Sequence, residues 1–290
     1  MEKRDSNEKT GLVLEGGGMR GIYTAGVLDV FLEHNISFDG VIGVSAGAIH
    51  GCSFVSGQTG RSIRYYKKYC RDKRFMSLYN MIKTGDIVDE QFCYHELPEN
   101  LDPFDYEAFG KSDVKYYVTC SNVDTGKAEY LQITDMKRQI DLLRASASLP
   151  YVSRIVETEG KRMLDGGCTD SIPVHAFMKM GYGRNVVVLT RRRDYVKEPE
   201  YGMLAGLYYR KYPKFAAALK KRHKSYNNAR KLIRRLEEEG KAFVISPAEE
   251  LNMGRTCHDP EEIQRVYDMG RKDAARHLGN LEVFLEQRAM

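Results

Sequence analysis

Residues 12–48 of this 290-residue chain read LVLEGGGMRGIYTAGVLDVFLEHNISFDGVIGVSAGA. Two glycine-rich turns lie in this stretch, GGGMRG at residues 16–21 and GVSAG at residues 43–47. Each turn follows a short apolar run typical of a strand and precedes a pattern typical of a helix. Since ligands bind at the carboxyl ends of the strands in open α/β sheets, two such turns on neighbouring parallel strands predict one shared site.

The second turn predicts a nucleophile. Ser45 lies at the centre of a G-x-S-x-G pentapeptide, and the flanking Gly43 and Gly47 allow a sharp strand-to-helix turn that exposes the serine hydroxyl. A helix that begins after Ser45 would leave free N–H groups and a positive dipole end beside the hydroxyl. Both would stabilise the negative charge that develops when a serine attacks a carbonyl carbon.

The first turn predicts a nest of backbone N–H groups that binds an anion, either a phosphate or the oxyanion of a tetrahedral intermediate. The residues of this loop that we expect at the site are Gly16, Gly17, Gly18, Arg20 and Gly21. Because GGGMRG also satisfies the G-x-G-x-x-G pattern, a nucleotide-binding protein is an alternative. A dinucleotide site needs an acidic residue at the end of the second strand, whereas Asp39 precedes that strand.

A serine nucleophile needs a base, and the sequence offers two candidates. Asp165 follows an apolar strand pattern at residues 162–164. Gly166 and Gly167 come next and would let a neighbouring backbone approach the aspartate closely. His258 follows the last predicted strand, where an α/β-hydrolase places the histidine of its triad, so an esterase of that class is a second alternative. The H-D-P pattern at that point is also typical of a turn that caps a helix.

The motifs GGGMRG and GVSAG, together with the D-G-G triplet at Asp165, resemble the motif set of the patatin-like phospholipase family. The resemblance covers residues 11–173. It includes RASASLP at residues 144–150, which is similar to the A-S-x-x-x-P segment that commonly precedes the aspartate of the family. Glu15 is a small departure, because many members have Asp or Gly at that position.

The resemblance implies a Ser–Asp dyad, with Ser45 as the nucleophile and Asp165 as its base in place of a histidine. The loop around Gly17 and Gly18 would hold the oxyanion, with Arg20 close by. Fatty-acyl esters, phospholipids among them, would pass through an acyl-Ser45 intermediate that water hydrolyses. No metal and no cofactor are implied. Because a carboxylate of ordinary pKa is a weak base, this mechanism predicts a partly desolvated Asp165.

Strand and helix patterns alternate along the chain and predict an α/β class with a mainly parallel sheet. The resemblance implies that this sheet lies at the centre of a three-layer α/β/α sandwich. No linker of distinct composition divides the chain. We expect a flexible tail at residues 1–10, a catalytic core at residues 11–190, and a helical and strand extension at residues 191–290 that packs on the same domain.

The composition favours a cytoplasmic protein. Hydrophobic residues make up 42% of the chain, but the mean hydropathy is −0.50, and no apolar run is long enough to span a membrane. The polar first ten residues lack the apolar segment of a signal peptide. The six cysteines are widely spaced without a C-x-x-C pair, so the sequence indicates neither a zinc site nor a disulfide framework.

Positive charge is concentrated in residues 190–241, which hold sixteen Lys and Arg against six Asp and Glu, while the whole chain has a net charge of +5. Residues 201–224 mix large apolar side chains with this basic cluster. They predict either a helix that contacts an anionic membrane or, as the more common arrangement, a core-facing helix with a solvated basic side. No recognition motif accompanies the charge, so we expect no nucleic-acid partner.

Overall fold

The computed structural model describes residues 9–200 and 202–287, and within them the centre of the fold is an eight-stranded sheet. The strands are β1 (Thr10–Leu14), β2 (Gly40–Val44), β3 (Lys115–Asn122), β4 (Lys127–Ile133), β5 (Val156–Thr158), β6 (Lys161–Asp165), β7 (Arg184–Val188) and β8 (Ala242–Ile245). Their order is β5-β6-β3-β2-β1-β7-β8, and β4 pairs with β3 outside this path. The pairs from β3 through β2, β1 and β7 to β8 are parallel, whereas β4, β5 and β6 pair antiparallel.

Helices cover both faces of this sheet. They are α1 (Ile22–Glu33), α2 (Ala46–Val55), α3 (Arg61–Tyr69), α4 (Leu78–Thr84), a π-helix (Phe92–Leu101), α5 (Tyr106–Lys111), α6 (Ile140–Ala147), α7 (Val174–Lys179), α8 (Gly202–Tyr208), α9 (Pro213–Glu238) and α10 (Pro260–Glu286). Among the helices of the described residues, none is both long and apolar enough to cross a membrane.

The alternation of side chains along β1 shows the layers. Leu12 and Leu14 belong to the apolar cluster that contains buried residues of α1, α2 and α10. Val13, between them, belongs to a second cluster with buried residues of α7 and α9. Because successive strand residues point to opposite faces, the sheet is covered on both sides. The predicted three-layer fold with a mainly parallel sheet is confirmed.

The C-terminal part of the chain shares this sheet and core. Strand β8 extends the sheet beyond β7, and α10 packs along α1. Two buried hydrogen bonds join these helices: the Tyr23 hydroxyl donates to Asp273 at 3.0 Å, and the Tyr267 hydroxyl donates to Asp29 at 2.7 Å. Strand β8 and helix α10 are therefore built into the same sheet and core as the strands that carry the glycine-rich turns.

Two boundaries differ from the prediction. Thr10 is buried in β1, so the predicted tail ends too late, and residues 1–8 lie outside the described residues. Residues 201–224 are not one helix, because α8 ends at Tyr208 and α9 begins with Pro213. Proline is favoured at the first helical position since it has no N–H to leave unsatisfied there. Tyr201 lies outside the described residues.

Candidate active site

The register of the sheet brings Ser45 and Asp165 together. Strand β2 pairs with β3 up to Val44 opposite Thr119. Strand β6 then pairs with β3 from Asp165 opposite Cys120, the next residue along. Since β4 occupies the other edge of β3 over this length, β2 and β6 share one edge. Ser45, the residue after β2, and Asp165, the last residue of β6, therefore lie next to each other at the point along β3 where β2 ends and β6 begins to pair.

Ser45 occupies a strained turn between β2 and α2. Its φ is 55° and its ψ is −124°, a conformation that costs a non-glycine residue about 1–3 kcal/mol. The flanking glycines are required by close approach: a Cβ at Gly43 would lie 2.5 Å from Ala48 Cα, and one at Gly47 would lie 2.5 Å from the Leu14 carbonyl oxygen. This is the local geometry that a nucleophile elbow needs.

Ser146 holds the turn in place, although no role of this residue was expected from the sequence. The Ser45 N–H donates to Ser146 Oγ at 3.1 Å, and Ser146 Oγ donates to the Thr119 carbonyl at 2.7 Å. All three groups are buried. The only signal in the sequence is that Ser146 belongs to the RASASLP segment at residues 144–150.

Asp165 is buried, with 4% of its surface exposed. Burial raises the pKa of its carboxyl, while the Ser45 hydroxyl, the Gly167 N–H and more distant arginines oppose the rise. Oδ1 accepts from the Gly167 N–H at 2.7 Å. Oδ2 is buried and has no hydrogen bond of normal geometry within the described residues, although the Ser45 hydroxyl is near enough to act on the pKa. The free oxygen and the raised pKa both suit a general base.

Gly166 and Gly167 continue directly from β6 as a short 3-10 turn, Gly166–Cys168. Ser121 Oγ, on β3, donates to the Asp165 carbonyl at 2.8 Å. This hydrogen bond and the pairing of Asp165 with Cys120 hold the D-G-G triplet against β3, which orients the carboxylate.

The first glycine-rich turn packs against the Ser45 turn. A Cβ at Gly16 would lie 3.1 Å from Ser45 Cβ, and one at Gly21 would lie 2.5 Å from Ala46 Cβ. Gly18 has a φ of +58°, which favours glycine. The next N–H, that of Met19, donates to the Arg255 carbonyl at 3.2 Å. The N–H groups of Gly17 and Gly18 are the candidate donors to an oxyanion.

Two charged residues flank this loop. Glu15 is buried and accepts from the Thr190 N–H at 2.6 Å and from the Tyr226 hydroxyl at 2.7 Å, so it ties the loop to the C-terminal part of the chain. The pKa of Arg20 is lowered by burial and by the neighbouring charges of Arg191 and Arg255. Glu15, which departs from the common pattern, therefore has a structural role.

Two cavities of opposite character meet at Ser45. The apolar cavity is lined mainly by aliphatic and aromatic side chains from α2, α3, the π-helix and α6, among them Ile49, Tyr66, Phe75, Leu97 and Leu143. The basic cavity is lined by Arg20, Arg191, Lys197, Arg222 and Arg255, and also by Asp165. Gly18, Ser45 and Leu149 line both cavities. A bound ester could therefore place an apolar and an anionic part on the two sides of Ser45.

The candidate histidine lies elsewhere. His258 Nδ1 is 2.6 Å from the Cys70 carbonyl oxygen, and no histidine is among the described residues that line either cavity. The described part of the chain also holds no group of three His, Cys, Asp or Glu side chains arranged to bind a metal ion. The polar groups that line the basic cavity with Ser45 include the buried Asp165, the glycine loop and the arginines.

A family model for patatin-like phospholipases matches residues 12–178. The chain belongs to the patatin-like phospholipase family. This confirms the resemblance seen in the three motifs. A second model, a domain of unknown function (DUF6363), matches residues 212–286. Ser45, Asp165 and the glycine loop all lie in the first match.

Two relatives are similar over about three fifths of this chain. The chain is 31% identical over 184 residues to the uncharacterized protein YjjU of Escherichia coli, which is 62% of this chain and 51% of that protein. It is 30% identical over 186 residues to the lysophospholipase NTE1 of Debaryomyces hansenii, which is 61% of this chain and 11% of that protein. The structure of VipD from Legionella pneumophila matches 94% of this chain and 67% of its own, with a TM-score of 0.45 and 13% identity.

Proposed function

We propose that this protein is a serine lipid acyl hydrolase that cleaves fatty-acyl ester bonds of phospholipids or related lipids. The observation that carries the proposal is that Ser45, in a strained turn, and a buried Asp165 adjoin where an apolar and a basic cavity meet. Family membership and relatives named lysophospholipase support the substrate class.

In the proposed mechanism, Ser45 Oγ attacks the ester carbonyl carbon while its proton passes to Asp165 Oδ2. The N–H groups of Gly17 and Gly18 stabilise the oxyanion of the tetrahedral intermediate. Its collapse returns the proton from Asp165 to the leaving alcohol and leaves an acyl group on Ser45. A water molecule, deprotonated by Asp165, then attacks the acyl carbon, and Asp165 returns the proton to Ser45 Oγ as the fatty acid leaves.

The raised pKa of Asp165 serves both halves of this cycle. A carboxylate with an ordinary aspartate pKa would take a serine proton poorly. Because burial raises the pKa of Asp165, its proton affinity comes closer to that of the Ser45 hydroxyl. The same group then gives the proton back to the alcohol. A triad through His258 is not favoured, because that histidine bonds to Cys70 instead of lying at either cavity.

We also propose that the surface near the cavities contacts anionic membranes. In α8, Leu204 is 69% exposed and Leu207 is 72% exposed, and the exposed Arg210 and Lys211 follow. The Tyr208 hydroxyl donates to the Tyr151 carbonyl at 3.4 Å. Apolar side chains beside basic ones fit the interface of an anionic bilayer.

The helix α4 belongs to the same surface. Ile82 is 83% exposed and Leu78 is 66% exposed. The Ile87 N–H, just after α4, donates to the Val152 carbonyl at 2.8 Å, so α4 and α8 flank one segment. That segment follows Leu149, which lines both cavities. The core-facing alternative holds instead for α9, where Phe215 and Leu219 are buried.

The test of the dyad is the hydrolysis of a p-nitrophenyl fatty-acyl ester and of a lysophospholipid by four proteins: wild type, Ser45→Ala, Asp165→Asn and His258→Ala. We expect losses of about a thousandfold or more in kcat for the first two variants, because nucleophile and base act as one unit. His258→Ala should resemble wild type. Circular dichroism would confirm that all four proteins fold.

Three results would contradict the proposal. Activity that survives Ser45→Ala rules out the nucleophile. A loss in His258→Ala as large as that in Asp165→Asn would favour a histidine triad. A folded wild-type protein that hydrolyses neither substrate, even with anionic vesicles present, would rule out the hydrolase.

A further inference from the structure

The basic cavity beside Ser45 carries more positive than negative charge. Among the described residues, five cationic side chains line it against three carboxylates. Two of the carboxylates have other tasks: Glu15 accepts from Thr190 and Tyr226, and Asp165 is the proposed base. The third carboxylate, Glu200, contacts three of the cations, and Arg191 is paired with Glu250 outside the cavity.

Glu200 is shared by three of the cations. Lys197 Nζ lies 2.8 Å from its Oε1, Arg222 Nη1 lies 2.9 Å from its Oε2, and Arg255 Nη2 lies 3.4 Å from the same oxygen. The three cations thus converge on one carboxylate at the wall of the basic cavity.

The cations are held where their charge has a strong effect. The Lys197 side chain is 8% exposed, and its pKa is lowered by burial and by the charge of Arg222. Although burial alone would raise it, the pKa of Glu200 is held low by the hydrogen bond and charge of Lys197 and by the charges of Arg222 and Arg255. The buried Lys197 ammonium, with the Arg222 side chain only 20% exposed beside it, attracts an anion more strongly than a surface lysine does.

The cluster is also next to the reacting groups. Arg222 Nε donates to the Gly167 carbonyl, in the turn that follows Asp165. The Arg255 carbonyl accepts from Met19 in the glycine loop. An anion bound to these two arginines would therefore lie in the cavity that Ser45 and Asp165 also line.

We propose that Lys197, Arg222 and Arg255 bind the phosphate group of a phosphate-bearing acyl ester while its acyl chain occupies the apolar cavity. This assignment rests on the proposed hydrolase function. It makes the basic cavity a specificity site that favours acyl glycerophosphates over uncharged acylglycerols. Arginine forks and a lysine ammonium are the side chains that recognise phosphate oxygens.

All three residues lie beyond residue 178, where the match to the patatin-like family ends. Arg222 and Arg255 lie within the second match, at residues 212–286. Head-group selection is thus assigned to the C-terminal part of the chain, and ester cleavage to the N-terminal part.

The test is binding to Ser45→Ala protein, measured by titration calorimetry with three probes. These are a short-chain monoacyl glycerophosphate below its micelle-forming concentration, the monoacylglycerol with the same chain, and inorganic phosphate. We expect the glycerophosphate to bind at least about tenfold more tightly than the monoacylglycerol, which corresponds to about 1.4 kcal/mol. Inorganic phosphate should bind more weakly and compete with the glycerophosphate.

A matched pair of variants locates the site. Lys197→Met, made in the Ser45→Ala protein, removes one charge and leaves Glu200 with two arginine partners, so the preference for the glycerophosphate should fall about tenfold. Lys224→Met removes an exposed charge from the same basic segment and should leave the preference unchanged.

Equal affinity for the two lipids, or a preference that Lys197→Met does not alter, would overturn the assignment. Inorganic phosphate that binds as tightly as the lipid would show a free-anion site instead of a head-group site. Because binding is measured without Ser45, these outcomes are separate from any failure of the hydrolase itself.

Discussion

The two cavities that meet at Ser45 are built in different ways. The apolar cavity is lined by residues 18–149, all inside the stretch that matches the patatin-like family. The basic cavity combines residues around the glycine loop and Asp165 with side chains from residues 191–255. The lining of the apolar cavity thus lies within the family match, whereas most of the positive charge on the other side comes from the C-terminal part.

Under the proposed function, this difference separates ester cleavage from head-group selection. The proposed dyad and the apolar cavity depend on the sheet and on helices close to it in sequence. The basic cavity depends on α9 and on the segments before and after it, which are placed by packing against the same sheet. Under the proposals above, substitutions in the apolar cavity should therefore change the preference for acyl chains. Substitutions in the basic cavity should change the preference for head groups.

The largest difference between the two cavities is expected from a substitution in the apolar cavity. Ile49 lies one turn after Ser45 on α2 and lines only the apolar cavity. Ile49→Phe should lower kcat/KM for a long-chain p-nitrophenyl ester about tenfold relative to the butyryl ester, because the larger ring takes space from the chain. The ratio of the two esters is the measurement. An unchanged ratio would place the acyl chain elsewhere.

A smaller effect is expected at Asp165, on the pH dependence of activity and on the stability of the protein. Since burial raises the pKa of Asp165, activity should fall, as the pH is lowered, at a higher pH than an exposed aspartate would titrate. The same burial destabilises the charged protein. Asp165→Asn should therefore be more stable at pH 7 by about 1 kcal/mol, or about 3 °C in Tm.

The pH dependence of this stability difference tests its cause. The stability gain of Asp165→Asn should be present above the raised pKa and shrink as the pH falls through it towards the unfolded-state value, because wild type then folds with a neutral carboxyl too. The exposed Asp113→Asn is the control and should not change Tm. A Tm gain that does not vary with pH would remove Asp165 burial as its cause.

The smallest effect is expected at the proposed membrane-contact surface on α8. Leu207→Ser on α8 should weaken binding to vesicles with anionic lipid about threefold, since one exposed apolar side chain contributes little by itself. Val283→Ser on α10, where the side chain is 54% exposed, is the matched control and should bind like wild type. Equal losses in both variants would mean that α8 is not the membrane-facing surface. Vesicle sedimentation gives the measurement.

Much of the fold could be predicted because its signals are local. Apolar runs and glycine turns indicate β1, β2 and the helices between and after them. The D-G-G triplet indicates a strand end at Asp165. In the structure, Ser45 and Asp165 lie at adjoining positions along β3. Their roles in catalysis stay a prediction for the variants above.

Other features could not be predicted, because they depend on residues far apart in the chain. Ser146 matters through two hydrogen bonds, to Ser45 and to Thr119. Lys197, Arg222 and Arg255 come together only around Glu200. In the sequence they look like ordinary members of a basic stretch.

The sequence by itself therefore determined the class of fold, the strained serine turn and the candidate aspartate, because glycine spacing and apolar periodicity restrict the backbone locally. The tertiary structure decided which side chains surround that serine. Packing of β6 beside β2 and of α9 over the sheet sets those distances and burials. The raised pKa of Asp165 follows from burial, and the low pKa of Glu200 follows from the cations packed around it; no local pattern records either.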